Sequence, residues 1–438
     1  MNKTLGFATG LALAAATLDA YGADNALRND IAADYRDRLA ALFEHFHRNP
    51  ELSGRELQTS KRLAQELRSL GYDVTEGVGK TGVVAIMLNG AGPTVLLRAD
   101  MDGLPVEEKS GLPYASAVRQ TDIAGVEQPV MHACGHDVHM TAMVGTARQL
   151  AARKSDWSGT LVLIGQPAEE IAGGARAMLA DGLYTRFPKP DYALGFHVWA
   201  TAAAGTVMVP QMAAMSGVDS VDLVVHGVGT HGASPHRGVD PVLVASQIVV
   251  SLQSLVSRSI DPLQPGVVTV GAIHGGSKHN IIGDRVDLQL TVRADNPETR
   301  TKLLEGIERI AEGVARAHGT PDDKLPEVTV LTNETTPPTL NDEPTAAQIQ
   351  AAFRSHFGDA RVPPNRREGM GGEDFAFYGA PEHGVKAVFF FVGGTPEAEL
   401  DGVAAHHSPL FKIAPEPSIT TGIEAMVVGA LELLKTRQ

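Results

Sequence analysis

Residues 160–167, TLVLIGQP, form an apolar run whose length and composition predict a buried β-strand. Two similar runs flank it along the chain, TVLLRAD at 94–100 and DYALGFHVW at 191–199. Helical patterns at 137–153 and 173–183 lie between these runs. Strands that alternate with helices at this spacing are typical of a layered α/β sheet.

A different order of elements fills residues 212–334, namely strand, helix, strand, strand, helix, strand. This βαββαβ order is the ferredoxin-like unit, and about 120 residues suffice for an independent domain. The α/β pattern then returns with a helix at 343–357 and a later strand. We therefore predict an α/β domain made of residues 24–211 and 335–438, interrupted by an inserted ferredoxin-like domain.

The bulk composition favours a globular enzyme or binding protein. The chain has 438 residues, of which 43% are hydrophobic and 20% charged, and this is typical of a folded protein of more than one domain. Its net charge of −14 argues against nucleic acid as a partner.

The first residues have the pattern of a secretory signal peptide. Lys3 precedes an apolar run at about 5–18, and the small residues Ala20 and Gly22 match a cleavage site. We expect residues 1–22 to be removed, the protein to be periplasmic or secreted, and no membrane anchor to remain. The alternative is an N-terminal helix that belongs to the fold.

The stretch VMHACGHDVHM, residues 130–140, contains the only cysteine of the chain. Cys134 and His136 are two residues apart, just before a predicted helix. A thiolate and an imidazole together suit a borderline-soft ion such as Zn²⁺. Taken alone, the pair is more typical of a small buried cysteine beside a helix-capping polar segment.

Further residues of ligand type follow other predicted strands: Glu169, Glu170, His197, His406 and His407. In open α/β sheets such residues meet beyond the carboxyl ends of the strands. Their number suits two metal ions rather than one. Of the adjacent glutamates, one can bind metal while the other accepts a proton from water, and the chemistry alone does not say which. The alternative is a set of unrelated surface and helix-capping groups.

The motifs, taken in their order, resemble those of the metal-dependent aminoacylase, hippurate hydrolase and carboxypeptidase G family of amidohydrolases, peptidase family M20. The branch with hippurate hydrolases and indoleacetyl-amino-acid hydrolases is the most similar. The resemblance rests on RADMDGLP, MHACGHDVHM, GQPAEE, GTHGASPHRGVDP, HNIIGDRV with TVRA, GGEDFAFY and HHSPLF.

This resemblance implies roles for individual residues. The metal ligands would be Cys134, His136, Glu170, His197 and His407. Glu169 would be the general base. Arg98 stands where many relatives have a histidine ligand, so this branch would use the cysteine–histidine pair instead, with Asp100 orienting a ligand from outside.

The inserted domain is a lid or dimerisation domain in the family. His231 would stabilise the oxyanion, often in the partner subunit's site, although Thr230 here replaces a usual glycine. Asn280 and Arg293 would bind a substrate carboxylate, and Gly372 would line the pocket. A turn asparagine and a surface-paired arginine are the plainer alternatives.

The expected activity is hydrolysis of N-acyl amino acids such as hippurate by two divalent ions, which could be Zn, Mn, Co or Ni, in a homodimer formed through the inserted domain. An exported dipeptidase or carboxypeptidase would use the same site. The alternative of another class is a non-catalytic metal- or ligand-binding protein.

Overall fold

The structure is a computed structural model that describes residues 25–364, 367 and 369–435. The predicted signal peptide, 1–22, lies outside the described residues. The described chain forms two compact units. The first unit contains residues 25–211, 341–364 and 378–435, and the second contains 212–340, 367 and 369–377.

The strands follow one another along the chain as β1 (Asp73–Val78), β2 (Gly82–Asn89), β3 (Thr94–Asp100), β4 (Arg119–Thr121), β5 (Glu127–Pro129), β6 (Gly159–Gln166), β7 (Tyr192–Ala203), β8 (Val207–Met208), β9 (Ala213–Met215), β10 (Gly217–His226), β11 (Thr230–His231), β12 (Gly266–Gly275), β13 (Ile281–Ile282), β14 (Arg285–Ala294), β15 (Glu327–Val330), β16 (Thr339–Leu340) and β17 (Lys386–Thr395).

The helices are α1 (25–34), α2 (Ala40–Arg48), α3 (Leu57–Ser69), α4 (His136–Ala152), α5 (Gly174–Ala180), α6 (Leu183–Arg186), α7 (Pro241–Ser254), α8 (Pro297–Ala317), α9 (Glu343–Phe357) and α10 (Pro415–Leu434). A π-helical turn, Tyr35–Leu39, connects α1 to α2.

The first unit is built on a seven-stranded mixed sheet in the order β1-β2-β6-β3-β7-β17-β8. The four strands β6, β3, β7 and β17 are parallel, and the edge strands run antiparallel to their neighbours. Residues 95–100 of β3 are all buried, because helices cover both faces of such a sheet. The predicted α/β architecture is confirmed.

The register of this sheet determines where the site can form. Asp100 at the end of β3 pairs with Gln166 at the end of β6, and Arg98 pairs with Gly195 in β7. The carboxyl ends of these three strands therefore lie at one edge of the sheet, where sites form in open α/β folds. Helix α10, although apolar enough by composition to span a membrane, has 72% of its most apolar window buried in the protein and is a core helix.

The second unit has a four-stranded antiparallel sheet in the order β12-β14-β10-β15, with α7 and α8 packed against it. This is the predicted ferredoxin-like topology. The unit extends past the predicted limit of 334, because Val218 and Thr336 exchange two backbone hydrogen bonds.

The described part of 366–377 also belongs to this second unit, whereas the prediction assigned it to the α/β domain. The peptide N–H of Ser216 donates to the carbonyl of Gly371 at 2.8 Å, and the Thr339 hydroxyl donates to the carbonyl of Glu373 at 3.2 Å. These long-range bonds hold the GGED motif to β16 and to Ser216, which lies between β9 and β10.

Candidate metal centre

The turn that presents Cys134 and His136 depends on the glycine between them. Gly135 has a φ of +88°, and a Cβ at this position would lie 2.4 Å from Cγ1 of Val198. Only glycine meets both conditions without strain. Helix α4 begins at His136, so Cys134 and His136 lie on either side of the glycine at the start of this helix.

The five predicted ligands of the first unit lie close together. Cys134 Sγ is 3.4 Å from His197 Nε2, and the ligand atoms of Cys134, His136 and Glu170 lie within 4.8 Å of one another. The two Glu170 carboxylate oxygens face different histidines, with Oε1 at 3.9 Å from His136 Nε2 and Oε2 at 3.4 Å from His407 Nε2. The turn before α4, the segment after β6, strand β7 and the loop after β17 thus contribute to one cluster.

In two of these histidines, Nδ1 is engaged by a backbone carbonyl, which leaves Nε2 available to bind a metal ion. His136 Nδ1 is 2.8 Å from the carbonyl oxygen of Asp102, and His197 Nδ1 is 2.6 Å from the carbonyl oxygen of Val198. A carbonyl only accepts, so each Nδ1 carries a proton, and in the neutral imidazole Nε2 then carries none. This is the tautomer that a metal ligand requires.

Asp102 organises the glutamate pair, a role that the sequence analysis did not assign. Its Oδ1 accepts the Glu169 N–H at 3.1 Å, and its Oδ2 accepts the Glu170 N–H at 3.0 Å and the Ser53 hydroxyl at 2.6 Å. Its carbonyl also orients His136. The only signal in the sequence was a second aspartate two residues after Asp100.

Asp100 is fully buried, and its strongest contacts are not with the predicted ligands. Oδ2 accepts from Arg98 at 2.5 Å, and Oδ1 is 2.6 Å from His139 Nδ1. His139 Nε2 in turn accepts the Val198 N–H at 2.9 Å, so His139 supports the site without facing it. The pKa of Asp100 stays well below its usual range, because Arg98, His136 and His139 outweigh the effect of burial.

Two backbone conformations at the site are unusual for residues with a side chain. Ala168, just before the glutamate pair, has a φ of +51°, and His407 has a φ of +66°. Each such conformation costs about 1–3 kcal/mol, and such residues cluster at functional sites. The Ala168 turn is held by the buried Glu56, whose Oε1 accepts the Ala168 N–H at 2.8 Å.

The cluster fits a metal ion. His136 Nε2 and Glu170 Oε1 are buried, and neither has a hydrogen-bond partner among the described residues. Burial and the neighbouring carboxylates Asp102 and Asp100 raise the pKa of Glu170, and burial together with Glu170 and Glu169 raises that of the Cys134 thiol. A group of buried acids with two unpartnered ligand atoms is what a divalent cation would stabilise.

His406 adjoins this cluster although it was not among the predicted ligands. Its Nε2 accepts the Ala200 N–H at 3.1 Å, and its Nδ1 lies 3.8 Å from Cys134 Sγ. Burial lowers the pKa of His406 to about 3, so the ring is neutral.

The other predicted site residues belong to the second unit. His231 is exposed on β11, and its Nδ1 accepts the Ala233 N–H at 3.0 Å. The carbonyl of Asn280 accepts the Gly232 N–H at 2.9 Å, which places Asn280 beside the same short ladder.

Arg293 and Gly372 lie elsewhere in this unit. Arg293 is half-buried on β14 and donates to the Thr291 hydroxyl at 3.0 Å, and among the described residues no carboxylate forms an ion pair with it. Gly372 packs so closely that a Cβ would lie 2.2 Å from Cγ2 of Val218. The roles of these four residues stay predictions.

Comparison with known proteins identifies the family. Residues 96–431 match the model of Peptidase family M20/M25/M40. The chain is 37% identical to the hippurate hydrolase of Campylobacter jejuni over 79% of this chain and 86% of that protein. It is 35% identical to thermostable carboxypeptidase 2 of Saccharolobus solfataricus, over 88% and 92% of the two chains.

A solved structure shows the same fold. The Bacillus subtilis YXEP protein, described as a dinuclear metal binding peptidase from the M20 family, superimposes with a TM-score of 0.74 and 28% identity, covering 91% of this chain and 99% of that one. The chain therefore belongs to peptidase family M20/M25/M40 and is a metal-dependent amidohydrolase or peptidase.

Proposed function

We propose that this chain hydrolyses the amide bond of N-acyl amino acids such as hippurate, releasing a carboxylic acid and a free amino acid. The observation that carries the proposal is the pair of buried atoms, His136 Nε2 and Glu170 Oε1, that have no hydrogen-bond partner in the part of the chain that the structure describes and that lie beside the only cysteine. The residues proposed to hold two divalent ions are Cys134, His136, Glu170, His197 and His407.

The two glutamates have different roles, Glu169 as the general base and Glu170 as a metal ligand. Bound ions would polarise the amide carbonyl and acidify a water molecule. Glu169 then accepts the proton of the attacking water and passes it to the departing amine nitrogen. Glu170 is the ligand, since its two oxygens face His136 and His407. His231 stabilises the negative charge that develops on the carbonyl oxygen.

The second unit supports a substrate with a free carboxylate. Arg293 is half-buried without an acidic partner among the described residues, and a guanidinium binds a carboxylate through two parallel hydrogen bonds. We assign the carboxylate of the amino acid product to Arg293 and Asn280, with Gly372 as part of the lining.

Two matched variants test the assignment of the glutamates. Glu169→Gln should keep the metal content of the wild type and lower kcat by about 10²–10⁴, because it removes only the base. Glu170→Gln should lose bound metal as well as activity. Metal analysis and hippurate turnover measure both effects. If Glu169→Gln retains activity within tenfold, or if it is the variant that loses metal, the assignment is wrong.

A carboxypeptidase or dipeptidase is the second candidate, because a relative of 35% identity carries the name carboxypeptidase. The wild type should be assayed with hippurate, N-acetyl amino acids, dipeptides and hippuramide, with Zn²⁺, Mn²⁺, Co²⁺ or Ni²⁺ added in turn. We expect the acyl amino acids to have the highest kcat/KM and hippuramide, whose carboxylate is blocked, to fall by at least about 100-fold. Higher values for dipeptides would favour the second candidate.

We also propose export and a homodimer. The N-terminal apolar run supports removal of residues 1–22 and a periplasmic or secreted location. Helix α7 leaves large apolar side chains exposed, with Leu243 at 50% and Val250 at 73%. An exposed apolar stripe of this kind is typical of a protein interface, and a second copy of the inserted domain is the proposed partner.

A further inference from the structure

The chain presents two consecutive histidines at the metal centre, and their environments differ. His407 has a positive φ, is largely exposed and faces Glu170. His406 is partly buried between aromatic rings, with its centroid 5.0 Å from that of Trp199 and 4.9 Å from that of Phe411. Packing on both sides holds the His406 ring in one orientation, with Nδ1 toward the sulfur of Cys134.

The acceptor role of His406 Nε2 follows from the sheet. Trp199 pairs with Gly393 and Ala203 with Thr395, so β7 advances by four residues while β17 advances by two. The irregular register removes the regular ladder partner from this part of β7. The Ala200 N–H is directed to His406 Nε2 instead, at 3.1 Å.

The position of the proton on His406 then follows. A nitrogen that accepts an N–H bond has no hydrogen of its own, and a neutral imidazole carries its one proton on the other nitrogen. Nδ1 of His406 is therefore a donor, and Cys134 Sγ lies within its hydrogen-bonding range at 3.8 Å. His197 has the opposite tautomer and turns a lone pair to the same sulfur at 3.4 Å.

We propose that His406 is a positioning residue that donates a hydrogen bond from Nδ1 to the Cys134 sulfur, while its neighbour His407 is the ligand. The inference rests on the proposed function, in which Cys134 binds metal as a thiolate. A donor withdraws electron density from the sulfur, so that a bound cation keeps more of its positive charge, and it restricts the sulfur to one direction.

The test uses full-length protein loaded with Co²⁺, whose thiolate charge-transfer absorption in the near ultraviolet reports on the sulfur. The variants are His406→Phe, which keeps the ring and removes the donor, and His406→Asn, whose amide N–H reaches about the position of Nδ1. His407→Asn is the comparison for a lost ligand. Chelator competition measures Co²⁺ affinity in each protein, and circular dichroism verifies folding.

We expect His406→Phe to shift the charge-transfer band to longer wavelength and to weaken Co²⁺ binding by about 10–100-fold. His406→Asn should restore the wild-type band. If His406→Phe leaves the charge-transfer band unchanged, the inference about His406 is wrong, although the proposed metal site still stands. The same holds if His406→Asn loses as much metal as His407→Asn. Absence of the band from the wild type would instead refute Cys134 as a ligand, and with it the proposed metal site.

Discussion

The most direct test of the structure outside the metal centre concerns His47, a buried histidine on α2. Its Nδ1 is 2.7 Å from Asp137 Oδ2, and its Nε2 is 3.1 Å from Glu108 Oε1. Burial alone lowers the pKa of His47, but the hydrogen bonds to Asp137 and Glu108 outweigh it and raise the pKa to about 9. The imidazolium thus ties α2 to α4 and to the loop that carries Glu108.

The size and sign of the effect follow from the two pKa values. A pKa that rises from the ordinary value of 6.5 to about 9 on folding contributes about 3 kcal/mol, at 1.36 kcal/mol for each pH unit. Because the pKa is raised in the folded state, this stabilisation is complete below pH 6.5 and is lost as the pH rises through 9. The variant His47→Gln has no such contribution at any pH.

Guanidinium unfolding of the metal-free protein, followed by tryptophan fluorescence, measures the effect. Both tryptophans, Trp157 and Trp199, lie in the first unit, so the signal reports the unfolding of the unit that contains His47. The difference in unfolding free energy between wild type and His47→Gln should shrink by about 3 kcal/mol from pH 6 to pH 9.5.

The control is His45→Gln on the same helix. Burial and the nearby Arg62 lower the pKa of His45. The unfolding free energy of the wild type minus that of His45→Gln should therefore stay constant or increase as the pH rises. A His47→Gln difference that stays constant within about 0.5 kcal/mol over this range would refute the buried imidazolium.

Two further predictions concern the backbone of the metal centre. Asp102→Asn removes a charged acceptor from the Glu170 N–H and should weaken metal binding by about 10–100-fold in chelator competition, and unchanged affinity would contradict the role of Asp102. Gly135→Ala adds a contact of 2.4 Å with Val198 to the cost of a positive φ, so the unfolding free energy should fall by about 2–5 kcal/mol. Gly71→Ala, with a φ of +85° and nothing within 4 Å of the new Cβ, should cost only about 1–2 kcal/mol, and equal losses would show that the Val198 contact does not matter.

The parts of the fold that follow a strong local pattern could be predicted from the sequence. The apolar run TVLLRAD is a strand with the expected bounds, Thr94–Asp100, and α4 begins at His136, one residue before the predicted start at 137. The hairpin of β1 and β2 was not predicted. β1, whose sequence is DVTEGV, is mostly exposed and lacks the apolar run that marks a buried strand.

The site, like the fold, has features that could be predicted from the sequence and features that could not. Ligands at strand ends could be predicted because parallel strands bring their carboxyl ends to one edge of the sheet. The tasks of Asp102 and His406 could not, since they depend on peptide N–H groups and carbonyls that only the folded chain brings into range. The place of the GGED motif in the second unit likewise depends on the long-range bonds of Ser216 and Thr339.

If the proposed ligand set is correct, Arg98 gives a physical reason why a cysteine is among the metal ligands. A guanidinium has no lone pair and stays protonated, so Arg98 cannot take over the ligand role that a histidine plays there in many relatives. It is fully buried and donates to Asp100 and to Gln166 Oε1 at 2.9 Å, and a buried cation of this kind requires negative charge nearby. Asp100 supplies that negative charge, so what a chain with arginine at this position lacks is a donor atom for the metal. The Cys134 sulfur supplies one.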